Sequence, residues 1–225
     1  MRIGISTSVI QRGKTGIAQY LFGLLRALRE GTGGHEFFLF VLAEDLPFFE
    51  FAKGMQIISV PERFRSPGRD IWWHQTKLPA LARSLRLDVL HVPSYRRLLW
   101  PKPCPLVATI HDLAPFHVAH KYDWKRMLYG RLVVHRLAHR QDGIIAVSRN
   151  TARDITKFFG IPPERVSVIH NGLDHERFFP DDPGRAREWA ATRYQLHAPF
   201  FLYLARLEHP GKNHCGSSTR LNLSR

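Results

Sequence analysis

Apolar residues recur along this chain in two alternating periods. Short continuous runs, Arg2–Val9, Glu36–Leu42 (EFFLFVL) and Gln56–Val60, read as buried strands, and so do Asp88–Val92, Leu106–Ile110, Asp142–Val147, Arg165–Ile169 and Phe200–Ala205. Between them the spacing becomes helical. In Ile17–Arg29, residues Ile17, Tyr20, Leu21, Leu24, Leu25 and Leu28 fall on one face. Ile71–Leu85 is helical with a break or kink expected at Pro79, and Asp123–Arg140, Asn150–Phe159 and Arg185–Tyr194 follow. Gly160, with Pro162 and Pro163 just beyond, ends the third of these. Strand–helix alternation of this kind predicts an α/β fold, a Rossmann-like parallel sheet with helices on both faces. Phe178–Pro183 (FFPDDP) reads as a linker closing the first domain.

Composition narrows the class. With 44% hydrophobic and 12% aromatic residues over 225 positions, the chain can bury an ordinary core, which argues against general disorder. Cys104 and Cys215 are its two cysteines, too few for a disulfide framework or a metal quartet. No signal-peptide core and no membrane-length apolar run is present, so a cytoplasmic location is the expectation. A formal net charge of +14 attracts anions without choosing among nucleotide phosphates, acidic lipids and nucleic acid. A solvated basic face is the plainer account. In Asp123–Arg140 the cations Lys125, Arg126, Arg131, Arg136 and Arg140 oppose Trp124, Met127, Leu128 and Leu132. Such a helix packs on a sheet or lies on an anionic membrane, which leaves peripheral contact with the inner face of a membrane open. No RNA-binding signature, helix-turn-helix or interleaved aromatic–basic groove supports nucleic acid.

Open parallel sheets bind ligands beyond the carboxyl ends of their strands, and that rule selects the candidate residues. Past the first strand, Gln11–Gly16 (QRGKTG) sets backbone N–H groups at a helix start, where an anion is favoured; a tight glycine turn is the plainer reading. Past Leu106–Ile110 come His111 and Asp112, a carboxylate able to orient the imidazole or raise its pKa, or else an ordinary helix cap. Ser148 follows Asp142–Val147, and His170, Asn171 and Gly172 follow the next strand. Past Phe200–Ala205 come Arg206 and Lys212, cations suited to a diphosphate. No metal-ligand spacing occurs.

Seven segments in order, TGIAQY, WWHQTKLP, DVLHVPS, LVATIHDLAPF, DGIIAVSRNTARDI, VSVIHNGLDHERF and FLYLARLEHPGKNH, resemble the group 1, or family 4, retaining glycosyltransferases of the two-Rossmann GT-B fold. The resemblance implies transfer of a hexose-type sugar from a nucleotide-diphospho-sugar donor to a glycan or lipid-linked acceptor, in polysaccharide or glycolipid assembly, without a metal cofactor. Gly16 matches the loop near the donor phosphates, His111 the position at the reaction centre, and Arg206 with Lys212 the pair neutralising the diphosphate. Asp112, Ser148, Asn171 and Gly172 fall on the acceptor or cleft side. On this pattern residues 1–180 are the acceptor-side domain, 181–214 a linker with the first strand and loop of the nucleotide-sugar domain, and 215–225 an aberrant tail. The family's E-x7-E motif is missing, and CGSSTRLNLSR stands where an amphipathic helix belongs. A frameshift, a fragment and a genuine variant all fit this end. A chain of this extent is expected to be inactive alone, and a non-catalytic acceptor- or membrane-binding module is the alternative.

Overall fold

The computed structural model describes residues 1–31, 33–97, 99–117, 133–198, 200 and 202. Those within 1–172 form one compact unit, and those from Leu173 onward belong to a second.

The first unit is built on a seven-stranded, wholly parallel sheet in the order β3-β2-β1-β4-β5-β6-β7. The strands are β1 (Arg2–Ser6), β2 (Glu36–Leu42), β3 (Gln56–Val60), β4 (Val89–Val92), β5 (Leu106–Ile110), β6 (Gly143–Ala146) and β7 (Val166–Val168). The helices are α1 (Gly16–Glu30), α2 (Pro67–Ser84), α3 (Ala114–His117), α4 (His135–Ala138) and α5 (Arg149–Phe159). The α/β reading of the sequence holds.

The continuous apolar run EFFLFVL follows from burial on both sides. Phe37, Leu39 and Val41 join Leu21 and Leu25 of α1 on one face. Phe38, Phe40 and Leu42 join Trp73, Leu78 and Ala82 of α2 on the other. A strand with period-2 side chains covered on both faces has no position left for a polar residue. Further along the sheet, Ala108, Ile110 and Ile144 pack with Leu137, Ile155 and Phe159 from α4 and α5.

Several boundaries differ from the sequence pattern: the run Arg2–Val9 gives a strand only to Ser6, β6 stops at Ala146, Arg165 and Ile169 flank β7, and two more shift for one reason. Asp88 and Asp142, expected as strand residues, precede β4 and β6. Asp88 Oδ2 accepts the Arg2 N–H at 2.7 Å, and Asp142 Oδ2 accepts the Leu106 N–H at 2.7 Å. Each carboxylate satisfies the first backbone donor of the neighbouring strand at the amino edge of the sheet. The expected break at Pro79 is corrected as well. The helix α2 runs through it, with Leu78, Pro79 and Ala82 buried. Burial of that face offsets the roughly 3 kcal/mol that an interior proline costs. At the end of α5, Gly160 takes φ 63° and its N–H reaches Thr156 O at 3.0 Å, the left-handed cap expected of it.

Gly4 in β1 would take a side chain only if the buried side chains around it moved. A Cβ there would overlap Leu87 Cδ1 and stand 3.0 Å from Leu90 Cδ1 and 3.2 Å from the Phe40 ring. Gly4→Ala is therefore expected to destabilise the fold by about 2 kcal/mol through overpacking, read as a lower urea midpoint with unchanged slope.

In the second unit, Phe179–Asp182 is irregular and exposed, and α6 (Pro183–Tyr194) follows. Asp182 caps it, its side chain accepting the Arg185 N–H at 2.8 Å.

Candidate functional site

Because every strand is parallel, all carboxyl ends lie on one edge, and the connections diverge between β1 and β4. The β1 exit leads to α1 on one face, while β4 is entered from α2 on the other. A crevice at such a switch point is the usual ligand position.

The turn after β1 is strained. Gln11 and Arg12 sit at φ 46° and 57°, followed by Gly13 at 75°. Holding two non-glycine residues in the left-handed region costs on the order of 1 kcal/mol each. Thr15 then caps α1, its Oγ1 accepting the Ala18 N–H at 3.1 Å. Gly16 is the first helical residue, and a Cβ built on it meets no atom within 4 Å. Gly16 is exposed, so the first helical residue leaves room beside it, and the N-terminal amides carry the positive end of the dipole.

At the end of β5, His111 lies against the ring of Tyr20 from α1, centroids 4.8 Å apart and planes at 79°. Its Nε2 is buried and has no hydrogen-bond partner among the described residues. Burial pushes the imidazole pKa below its ordinary value, and the charge of Asp112 only partly opposes this. Of the two readings of Asp112 the structure favours the helix cap, while its charge still acts to raise the His111 pKa. Its Oδ1 accepts the Ala114 N–H at 3.1 Å at the start of α3, which is a local cap.

Beneath His111 lies a buried polar chain that the sequence did not single out. The Tyr20 hydroxyl is 3.1 Å from Thr109 Oγ1, which is 2.8 Å from His91 Nε2. His91 is 8% exposed, and Thr109 is fully buried. Burial, with the His111 charge beside it, brings the His91 pKa down to about 4.

Ser148 and Thr151 join the ends of β5 and β6. Ser148 caps α5, its Oγ accepting the Thr151 N–H at 3.0 Å. The Thr151 hydroxyl donates to the His111 carbonyl at 3.2 Å. Ser148→Ala is therefore expected to lower stability by about 1 kcal/mol, as loss of a cap does, checked by urea unfolding. Beyond β7, His170 Nδ1 is 3.2 Å from the Val147 carbonyl, while Asn171 and Gly172 are exposed. His111, Ser148 and Asn171 thus follow three adjacent strands on one edge.

A second buried network braces the β1–β4 crevice. Ser6 Oγ is 2.8 Å from His74 Nε2, and His74 Nδ1 is 3.2 Å from Asp70 Oδ1. Asp70 also binds the Arg97 guanidinium, which reaches Ser94 Oγ at 3.4 Å. Burial acts to raise the Asp70 carboxyl, but His74 and Arg97 outweigh it and hold it below the usual range. Ser6 and His74 are closed off from solvent, at 1% and 0% exposure, so this arrangement is a brace and not a nucleophile. It pins the turn Tyr95–Arg97 after β4 to the first turns of α2.

Arg206 and Lys212 lie outside the described residues, as does the stretch from Asp123 up to residue 132 of the expected basic helix Asp123–Arg140. Its described end carries α4 and Arg140, whose guanidinium stacks on Trp100. A cavity of about 860 Å³ there, lined by Ile71, Trp100, Leu137 and Arg140 among others, shares no residue with the candidates above. Among the described residues, no helix is long and apolar enough to cross a membrane, and no group of three or more His, Cys, Asp or Glu side chains is placed to hold a metal ion.

A doubly wound parallel sheet of this strand order is a Rossmann-like architecture. Residues 14–177 match the model of Glycosyltransferase Family 4, and the chain belongs to that family. Among solved structures it is similar to HepE from Anabaena in complex with UDP and glucose, at 18% identity and a TM-score of 0.60 over 93% of this chain and 55% of that one. Sucrose-phosphate synthase from Thermosynechococcus elongatus follows at 14% identity and 0.57, over 88% and 53%. UGT89C1 from Arabidopsis thaliana, complexed with UDP-L-rhamnose, gives 9% and 0.52, over 80% and 54%. The chain spans about half the length of these structures. No curated protein matches it.

Proposed function

We propose that this chain supplies the acceptor side of a retaining glycosyltransferase that moves a hexose-type sugar from a nucleotide-diphospho-sugar to a glycan or lipid-linked acceptor. The observation that carries the reading is the His111 imidazole at the carboxyl edge of the sheet, its pKa lowered by burial and its Nε2 without a partner among the described residues. A buried nitrogen without a partner costs about 1–3 kcal/mol. A sugar hydroxyl admitted to Nε2 by movement of the side chains that cover it would remove that cost, and a neutral ring can either donate to it or accept from it. Membership of the family supports the same role, as does the open start of α1 under the donor phosphates.

In this reading residues 1–180 are the acceptor-side domain, and the cations Arg206 and Lys212 belong to the donor side and carry the diphosphate charge. Asp112, Ser148, Asn171 and Gly172 border the acceptor, and Gly16 leaves room for the phosphates. Arg206→Ala and Lys212→Ala are each expected to weaken nucleotide-sugar binding about tenfold, since a charge-assisted hydrogen bond is lost. Calorimetric donor titrations check this, and unchanged affinity in both would remove the phosphate role.

Two measurements test the whole reading. Saturation-transfer NMR with glycan and lipid-linked acceptors asks whether the chain itself binds them. Acceptor-dependent release of nucleoside diphosphate from a panel of nucleotide-sugars, by the chain alone and joined to a nucleotide-sugar-binding domain of the family, asks whether it transfers. A folded protein that binds no acceptor and supports no release in either form would overturn the proposal.

A further inference from the structure

Tyr20 comes from the second turn of α1, yet it ends beside a histidine ninety-one positions later. The contact is edge-to-face at 4.8 Å, a geometry that fixes one ring against the other. Tyr20 is itself held at its far end, because its hydroxyl is 3.1 Å from Thr109 Oγ1. Thr109 cannot give way. It is fully buried in β5 and held from the other side by His91 Nε2 at 2.8 Å. The register explains the meeting: His91 of β4 pairs with Val107 of β5, and Thr109, two residues on, points to the same face.

We infer that Tyr20 is a positioning residue for His111, its ring pinned through the hydroxyl to Thr109 so that the imidazole has one orientation at the sheet edge. This rests on the transferase reading of His111 and adds to it the device that aims the ring. A histidine following a strand has two side-chain torsions to settle, and the described residues offer its Nε2 no hydrogen bond to do so. The backbone is tied instead, by the Thr151 hydroxyl on the His111 carbonyl, and the Tyr20 ring supplies the remaining constraint. The titratable groups around the ring are Tyr20 from α1, His91 from β4 and the adjoining Asp112, whose carboxylate is engaged with Ala114. Pinning a reacting group in advance removes an orientational cost that would otherwise fall on the chemical step.

The test uses the 225-residue chain and the His111 ring-proton signals, followed by NMR in Tyr20→Phe, Thr109→Val and the double variant. The first variant removes the hydroxyl and keeps the ring; the second is close to isosteric, so both are expected to fold. Expected are His111 signals displaced in each single variant toward their unfolded-chain positions. The double variant should move no further than Thr109→Val alone, because both changes cut the same bond. The His74 signals, in a separate network, should stay in place and report an intact fold. His111 signals unmoved in both single variants, or displacements that simply add in the double, would overturn the inference. Displaced signals together with a His111→Ala protein that transfers normally support the positioning and count against the transferase reading alone.

Discussion

In the chain joined to a nucleotide-sugar-binding domain of the family, replacing His111 by alanine is expected to lower sugar transfer by about 100-fold or more while leaving the fold intact. The two halves of that expectation have separate causes. On the proposed reading of His111, the loss of turnover follows from removing a hydrogen-bonding group from the carboxyl edge where charge would develop on the donor sugar. An interaction that tightens in the transition state appears in kcat and kcat/KM together, with little change in KM. The tolerance of the fold follows from the same geometry. Nε2 makes no hydrogen bond among the described residues, so truncation breaks none of its own. What is lost is the edge contact with Tyr20, worth about 1 kcal/mol, and part of that returns because a buried unpartnered nitrogen is removed. Steady-state kinetics with urea unfolding on the same preparations check both halves. Unchanged kcat in a folded protein would reduce His111 to an ordinary histidine at a strand end.

How much of this was legible in the sequence depended on the range of the interactions involved. The strands and the helices α1, α2 and α5 were legible from period, because both faces of β2 and one face each of those helices are buried, whereas the four-residue α3 is too short to show one. The placing of His111, Ser148 and Asn171 at carboxyl ends needed only that each follows an apolar strand. Boundaries were harder where a side chain replaced a backbone partner, as Asp88 and Asp142 do at the amino edge. Asp112 was left with two readings because its carboxylate has two neighbours in sequence, the imidazole before it and the Ala114 N–H after it. The cap, one of those readings, is the hydrogen bond that forms. Tyr20, Thr109 and His91 carried no signal at all. They come from α1, β5 and β4, and only strand order and register bring them together. Tyr20 read as one more apolar position on a helical face, and that is half true: its ring packs, while its hydroxyl starts the polar chain. The Asp70–His74 pair does have helical i, i+4 spacing, but Ser6 and Arg97, which complete that network, are distant in sequence.

The stability of the chain is expected to fall by about 3 kcal/mol as pH drops from about 6.5 to about 4, with His91 as the main cause. In the unfolded chain this imidazole protonates near its ordinary 6.5, whereas in the fold burial holds it neutral down to about 4. Between those values the unfolded state binds a proton that the folded state refuses, so stability rises with pH across the window and is lost as pH falls through it. Below about 4 both states carry the proton and the His91 contribution levels off. Folding thus favours the neutral ring, whose Nε2 reaches Thr109, over a charged one with little water to solvate it. His111 is shifted downward by burial too and adds a contribution of the same sign, which Asp112 moderates. The carboxyls held low in the fold, Asp70, Asp142 and Glu62, act in the same direction but only once pH reaches their ordinary unfolded values of 3.8 and 4.5, at the bottom of the window or beneath it. Urea unfolding at half-unit intervals from pH 7.5 to 4.5 measures the profile, and His91→Gln assigns it. Glutamine has no titrating group there and keeps an amide within reach of the Thr109 hydroxyl. The variant is expected to start less stable at neutral pH and to show a clearly shallower decline, so that the two curves converge as acid removes the His91 term from the parent. Parallel curves would place the acid sensitivity elsewhere, and a flat parent curve would mean that His91 takes up its proton in the fold as readily as in the unfolded chain.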